Sequence, residues 1–366
     1  MAKPNDSQAL PIHGARVLPS VTVDSYNLEI QDQDGFLGDK ASKSAFWDIL
    51  DKWRKPLKEI DQDPLGITPS DEVSKKRLAS LLAEGKPKEA GLVQSAVEDF
   101  AQRLTSVIRR FMRLKEWRKS QCVVIGGGFS ASQIGRLAVG RSALLLKSEG
   151  VDLDLEVIHS HPDEAGLLGA VHLLPPWMLK GYDGIAALDI GGTNIRAGIV
   201  ELNLKKSAEL AQARVAKREL WRHGDEKTGR DDAVDRMTAM LKDLISWAEA
   251  DGLRLAPVVG IGCPGIIAED GSILRGAQNL PGNWESSRFN VVNFLREQIP
   301  KIGKDETIVV MHNDAVVQGL SELPQLQDRL HWAVLTIGTG LGNASFTNRH
   351  LMNSGSSKRQ SFKGKT

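Results

Sequence analysis

Cysteine is scarce in this 366-residue chain, which holds only Cys122 and Cys263. Two thiols build neither a disulfide framework nor a four-thiolate zinc centre, and so sparse a use suits a reducing compartment. Also missing is any run of about 18 apolar residues, so no membrane-spanning helix is expected. The opening stretch MAKPNDSQALPIHGARVLPS has neither the basic nor the apolar portion of a signal peptide, and the expected location is cytoplasmic. A charge of one sign is lacking too, with 47 Lys+Arg against 46 Asp+Glu. Such a balance creates no field that gathers nucleic acid, so neither nucleic acid nor a membrane is expected as a partner. What is present is ordinary for a folded protein: 41% hydrophobic and 25% charged residues can bury large cores. The length allows two domains of roughly 100–200 residues.

Residues 1–45 read as irregular around one alternating run, Val21–Ile30, which predicts a strand or two short ones. Helices are expected near Ser44–Trp53 and Ser70–Glu84, the second with Ser70 as N-cap and Gly85 as C′ stop. Over 91–117, Val93, Val97, Phe100, Leu104, Val107, Phe111 and Leu114 recur every three or four residues and predict a long amphipathic helix. A strand at Cys122–Ile125 runs into Gly126-Gly127-Gly128 and a helix through Leu146. A strand at Val151–Ile158 and a helix near Pro162 follow. After a break at 180–184 the pattern restarts with strands at Ile185–Ile190 and Ile195–Leu202 and a helix over about 231–250. Further strands are expected at Val258–Ile261, Thr307–Met311 and Trp332–Ile337. Strands alternating with helices argue for an α/β fold. The Ser/Gly/Lys-rich tail from Leu351 is expected to be disordered.

Five segments carry chemistry. In Leu188-Asp189-Ile190-Gly191-Gly192-Thr193-Asn194-Ile195-Arg196 a strand ends on a carboxylate, turns through two glycines and returns. Glycines let backbone amides approach a phosphate, and a strand-end acid can hold Mg²⁺ through water. A plain hairpin whose glycines supply positive φ fits the same residues. A second turn, Thr336-Ile337-Gly338-Thr339-Gly340-Leu341-Gly342, repeats the pattern after another apolar strand. Between them, a strand ends at His312-Asn313-Asp314-Ala315. An acid there can take the proton of an attacking hydroxyl, or the pair can simply cap a helix. The loops Gly260–Gly265 and Asn279–Trp284 offer amides and an indole, suited to a sugar or to ordinary turns.

Taken in order, DIGGTNIRAG, GIGCPG, NLPGNW, HNDAVVQG and TIGTGLGN resemble the ROK family of sugar kinases and related repressors, within the actin-like ATPase superfamily. The resemblance implies a two-lobed α/β fold of the actin-like, ribonuclease H-like kind, with ATP in the cleft between lobes. It places Mg²⁺ near Asp189 and the phosphates along Gly191, Gly192, Thr193, Asn194, Arg196, Gly338, Thr339, Gly340 and Gly342. Asp314 would be the base, with Asn279, Asn313 and Gly265 facing the sugar. The implied activity is an ATP-dependent, glucokinase-like sugar kinase. The implied partners are a sugar and ATP, and a homodimer is compatible with it. The alternative is a non-catalytic ROK-like sensor of sugar or nucleotide.

The family order is rotated here. A ROK kinase continues well past its second phosphate loop with an adenosine-binding half, whereas in this chain the matching parts stand in front. Gly126-Gly127-Gly128 resembles the adenosine motif, and Asp163–Ala170 resembles the segment that closes a ROK chain. A circular permutation is therefore expected, with 1–176 as the rear part, 177–183 as the joint and 184–312 as the smaller lobe. Residues 313–350 would complete the larger lobe, and 351–366 would form the tail. A Rossmann turn also fits Gly126–Ala131, but the acids that should confirm it, Asp152 and Asp154, fall at the beginning of the next strand instead of its end. The Glu-x-x-His sugar contact and Cys-rich zinc loop of ROK kinases have no counterpart in 1–45, so no zinc is expected and His13 reads as a lone surface histidine.

Overall fold

Two five-stranded sheets organise the chain in the computed structural model, which describes residues 11–352 apart from 34 and 208. The tail expected from 351 onward lies outside the described residues except for its first two positions. Contacts divide the chain into two compact units. The first comprises Met1–Asn27, Asp163–Leu330 and Phe346–Thr366, and the second Leu28–Pro162 and His331–Ser345.

The strands of the two large sheets are β1 (Val21–Tyr26), β2 (Cys122–Gly126), β3 (Asp154–Val157), β4 (Gly184–Ile190), β5 (Ile195–Glu201), β6 (Arg214–Trp221), β7 (Leu255–Cys263), β8 (Ile308–Asn313), β9 (His331–Ile337) and β10 (Leu341–Asn348). In the first unit the order is β8-β7-β4-β5-β6, with β4 antiparallel to β5, β5 antiparallel to β6, and β4, β7 and β8 parallel. The other sheet runs β1-β10-β9-β2-β3, with β9, β2 and β3 parallel. Numbered from β4, the first sheet has the order 3-2-1-4-5. Numbered from β9 through β10 and then β1, β2 and β3, the second has the same order. The mixed α/β architecture is the one expected.

All seven residues of β4 are buried, because both faces of its sheet are covered. Side chains alternate across a strand, so Ala186, Leu188 and Ile190 join one core while Asp189 points to the opposite face. That core also takes Met237, Leu241 and Leu244 from α6 (Arg230–Ala250) and Val292 and Leu295 from α7 (Val291–Gln298). Against the face of Asp189 lie α5 (Ala165–Ala170) and α8 (Asp314–Leu320). The expected boundaries at 176 and 312 are therefore not boundaries of contact: α5 and α8 belong with the sheet of 184–313, whose strands they cover.

In the second unit, α1 (Lys43–Glu59), α2 (Lys75–Glu84), α3 (Pro87–Met112) and α4 (Gln133–Ser148) build one apolar core. Phe46, Phe100 and Phe129 meet there, with ring centroids 4.9 Å apart for Phe46–Phe129 and 5.0 Å for Phe100–Phe129. Ser70 does not cap a helix. Its hydroxyl accepts from the buried Arg54 and donates to Asp51, each at 2.7 Å, and Ser74 caps α2 instead. Gly85 follows α2 with φ −71°, not in a left-handed C′ stop. Strand β6 was not expected. Its sequence, RVAKRELW, carries charge at half its positions and shows little apolar alternation. His13 is no free surface histidine: its Nδ1 accepts the Met311 amide at 3.1 Å, and burial lowers its pKa.

Candidate active site

The turn between β4 and β5 is an antiparallel hairpin closed by the Gly191 amide on the Asn194 carbonyl at 2.8 Å. Neither Gly191 nor Gly192 has positive φ, so the plain-hairpin account of these glycines does not hold. Gly192 is needed for close approach, since a Cβ there would stand 2.9 Å from the Asn279 Cβ. Asp189, the penultimate residue of β4, is 2% exposed. Arg196, directly across the hairpin, donates to Asp189 Oδ2 at 3.1 Å and to Asp163 Oδ1 at 2.9 Å. Arg218 continues the chain of charges, 3.5 Å from Asp163 and 3.4 Å from Glu164. Burial raises the pKa of Asp189, and the Arg196 charge opposes that rise. Arg196, expected at the phosphates, is instead committed to these two carboxylates.

Asp314 opens α8, immediately after β8. Asn313 caps that helix: its Oδ1 accepts the amides of Ala315 at 3.0 Å and Val316 at 3.3 Å, and its Nδ2 donates to the Gly265 carbonyl at 3.0 Å. Gly265 sits at φ +99°, where a Cβ would strike the Arg275 carbonyl at 2.4 Å. Asn313 and Gly265, expected at the sugar, thus hold one another and fix the point where Asp314 leaves the sheet. A Cβ on Gly262, the β7 residue beside Asp189, would lie 3.6 Å from Asp189 Oδ1 and 3.5 Å from the Asp314 Cα, so both acids border this glycine. Burial, then the Asp189 charge, pushes the Asp314 pKa up to about 7. A carboxyl poised there can accept a proton near neutral pH.

A cavity of about 420 Å³ opens beside Gly192, lined also by His223, Gly224, Lys227, Thr228 and Asn279. It joins a residue expected at phosphate, Gly192, to one expected at sugar, Asn279. The segment 223–228 was not singled out from the sequence. Its signal was faint, an unpatterned polar loop between a charged strand and a helix. Trp284 plays no part at this opening: its indole is 1% exposed and donates to the Pro281 carbonyl at 2.8 Å. Of the two uses its loop allowed, the structure favours the ordinary turn for this side chain.

The remaining glycine motifs lie in the second unit, where they meet. Parallel pairing of β9 with β2 sets Thr336 opposite Gly126. Gly127, at φ +87°, touches the backbone of Ile337, leaving no room for a side chain. A Cβ on Gly340 would meet nothing within 4 Å, and one on Gly338 only the Gly340 carbonyl at 3.7 Å. Neither packing nor φ demands glycine at these two positions, and open backbone of this kind is what a phosphate can approach. The α1 start leans on the turn through the Lys43 amide, which donates to the Gly338 carbonyl at 3.0 Å, and Lys75 of α2 donates to the Gly128 carbonyl. Both glycine turns sit at the ends of parallel strands where the order reverses, the usual place for ligands in open α/β sheets.

A model of the ROK family matches residues 185–357, which hold the first turn, Asp314 and the second turn. Over this segment the chain is similar to the ROK family. The glucokinase of Thermotoga maritima is 26% identical to this chain over 170 residues, 46% of each protein. The chain therefore spans about half the length of the curated relative it matches. Among solved structures, the ROK hexokinase of Thermus thermophilus is 23% identical, with 44% of this chain and 45% of that one covered and a TM-score of 0.33. An exopolyphosphatase of Cytophaga hutchinsonii is 17% identical, with 46% and 52% covered and a TM-score of 0.26. Among the described residues no helix is long and apolar enough to cross a membrane.

Proposed function

We propose that this chain is an ATP- and Mg²⁺-dependent sugar kinase of the ROK type. The observation that carries the reading is Asp314, held by the Asn313 cap beside Asp189 with a pKa of about 7, inside the ROK-matching segment. In this reading Asp314 removes the proton of a sugar hydroxyl. The hydroxyl oxygen forms a bond to the γ-phosphorus as the bond to the β–γ bridging oxygen breaks, and ADP leaves. Little else is asked of the protein in such a transfer than positioning and charge neutralisation. Within the first unit Asn279 meets the sugar at the cavity, and the Gly191–Asn194 turn offers amides to phosphate.

Mg²⁺ suits this donor set. Among the described residues no three His, Cys, Asp or Glu side chains gather to ligate a metal directly. Mg²⁺ keeps most of its waters and needs only one or two carboxylates beside substrate phosphates. Asp189, with one oxygen on Arg196 and the other beside Gly262, would hold it through water. When bound, the ion would neutralise charge on the phosphates.

The test is a panel of hexoses and N-acetylhexosamines with ATP, followed by ADP release and by calorimetry. Turnover on any member supports the kinase. Sugar binding without turnover supports the non-catalytic sensor, and neither binding nor turnover sinks both.

The rotated strand order belongs to the same proposal. The second sheet repeats the order of the first only when read from β9 through β10 into β1, as in a fold whose β10 once ran directly into β1. Residues on the two sides of that joint touch: the Arg349 amide donates to the Ser20 carbonyl at 3.0 Å, and Thr347 donates to Asp24 at 2.6 Å. A variant joined end to end and reopened at Lys180–Asp183 is expected to fold with an unchanged circular dichroism spectrum and a cooperative melt. Aggregation of every such variant, across several linker lengths, would count against the permutation.

A further inference from the structure

Phosphoryl transfer gathers negative charge, yet three arginines near the first glycine turn are already paired. Arg196 is tied to Asp189 and Asp163, Arg218 to Asp163 and Glu164, and Arg230 to Asp231. The cavity at Gly192 has one lysine in its wall, Lys227, and among the described residues that ammonium makes no hydrogen bond or ion pair. Its acidic neighbour in the same wall does not neutralise it. Glu226 accepts from the Trp221 indole at 3.1 Å and from Arg236 at 3.1 Å.

The segment that carries Lys227 is latched to the turn on both sides of Gly192. The His223 ring donates from Nε2 to the Gly191 carbonyl at 2.8 Å, an acceptor that fixes which nitrogen bears the proton. The Gly224 amide donates to the Thr193 carbonyl at 3.0 Å, and a Cβ on Gly224 would stand 3.1 Å from the Thr193 Cβ. His223 is 4% exposed, so the latch is buried while Lys227, four residues on, reaches the rim. A one-turn 3₁₀ helix at His223–Asp225 fixes the path between them.

We propose that Lys227 is the cation that meets the terminal phosphoryl group at the Gly192 turn, carried there by the latched 223–228 segment. The proposal rests on the kinase reading and adds to it a contact made to the γ-phosphate and not to ADP. A lysine serves as a point charge for phosphate, and its flexible stem lets it follow the group during transfer.

The probes are Mg²⁺ complexes of ADP and of a non-hydrolysable ATP analogue with an imido β–γ bridge. Their dissociation constants are measured by calorimetry for the wild type, Lys227→Met and Lys227→Arg. The wild type is expected to prefer the analogue to ADP. Lys227→Met narrows that preference by roughly tenfold with ADP binding unchanged, and Lys227→Arg restores most of it. Because Lys227 is exposed, all three proteins should melt together, which separates a lost contact from a lost fold. An undiminished preference in Lys227→Met, or no preference in a wild type that binds both, overturns the role of Lys227 and leaves the kinase reading standing. A wild type that binds neither nucleotide overturns the kinase reading, and the inference falls with it.

Discussion

Asp314→Asn is expected to lower kcat by a factor of about 10²–10⁴ while nucleotide binding survives, the usual range for loss of a positioned general base. Asparagine keeps the shape and the start of α8 but cannot accept the hydroxyl proton. In the wild type, kcat should rise tenfold per pH unit below an inflection near 7, the pH at which Asp314 ionises. That inflection should vanish from the residual activity of the variant. A variant with full turnover and an unchanged pH profile would remove Asp314 from the mechanism.

The same residue makes a prediction about stability, of opposite sign to the activity. The Asp314 pKa is raised in the fold, from an ordinary 3.8 to about 7, so the folded state holds its proton more tightly than the unfolded chain. The stabilisation that comes with this proton is complete below pH 4 and is lost as pH rises through 7. Asp314→Asn removes that loss. Three pKa units correspond to about 4 kcal/mol, and the solvent contact Asp314 retains reduces this to about 2 kcal/mol. Urea denaturation at pH 8 should therefore show the variant more stable than the wild type, with a smaller gain at pH 5. Equal gains at both values would mean that the carboxyl is not ionising in this range. Such a trade, stability given up to keep a charged base in a buried place, is common at active sites.

The parts of this site legible in the sequence were those written in continuous motifs. Asp189, the Gly191–Asn194 turn and Asp314 each follow an apolar strand, and a strand of buried residues announces itself by composition alone. Most elements appear near their expected places: the helix expected over 91–117 is Pro87–Met112, and the strand expected at Trp332–Ile337 is His331–Ile337. What could not be read were the partnerships between distant segments. Nothing in the spelling of Asn313 tells whether its amide will face a ligand or cap its own helix, because both uses need the same donor and acceptor. The structure decides for the cap and for the Gly265 carbonyl. Arg196 stands inside a motif expected to bind phosphate, but the hairpin register puts it directly opposite Asp189, and the nearer carboxylates take its donors. The segment 223–228 escaped notice because its importance lies in two hydrogen bonds to a turn some thirty residues earlier. Domain boundaries went astray for a related reason. Motif order follows the chain, whereas α5 reaches the β4 sheet by packing, through Gly166 and Gly169.

Those glycines support the prediction with the largest effect on folding. Gly169→Ala is expected to destabilise the first unit by roughly 3 kcal/mol, at the upper end for overpacking. A Cβ on Gly169 would lie 1.6 Å from the Val317 carbonyl oxygen and 2.7 Å from its carbon. Both are backbone atoms of α8, so no rotamer change can relieve the clash and the two helices must separate. For a unit of this size the loss corresponds to a melting temperature lower by roughly 6–12 °C. Gly140→Ala is the contrasting variant. It lies within α4, where an added methyl group would meet nothing within 4 Å, and there alanine should stabilise by about 0.5–1 kcal/mol through helix propensity alone. If both substitutions move stability in the same direction, close packing of α5 on α8 is not what the glycine provides. One helical turn before Gly169, Gly166 meets the other side of the same problem. Its Cβ would stand 2.4 Å from the Asp189 carboxyl carbon and 2.5 Å from Oδ1. Gly166→Ala should push that carboxylate from its place, so in a kinase it should raise the Mg²⁺ concentration needed for half-maximal turnover. Helix α5 thus supports both acids at once: one glycine leaves room for Asp189, and the other lets the helix that begins with Asp314 lie close against it.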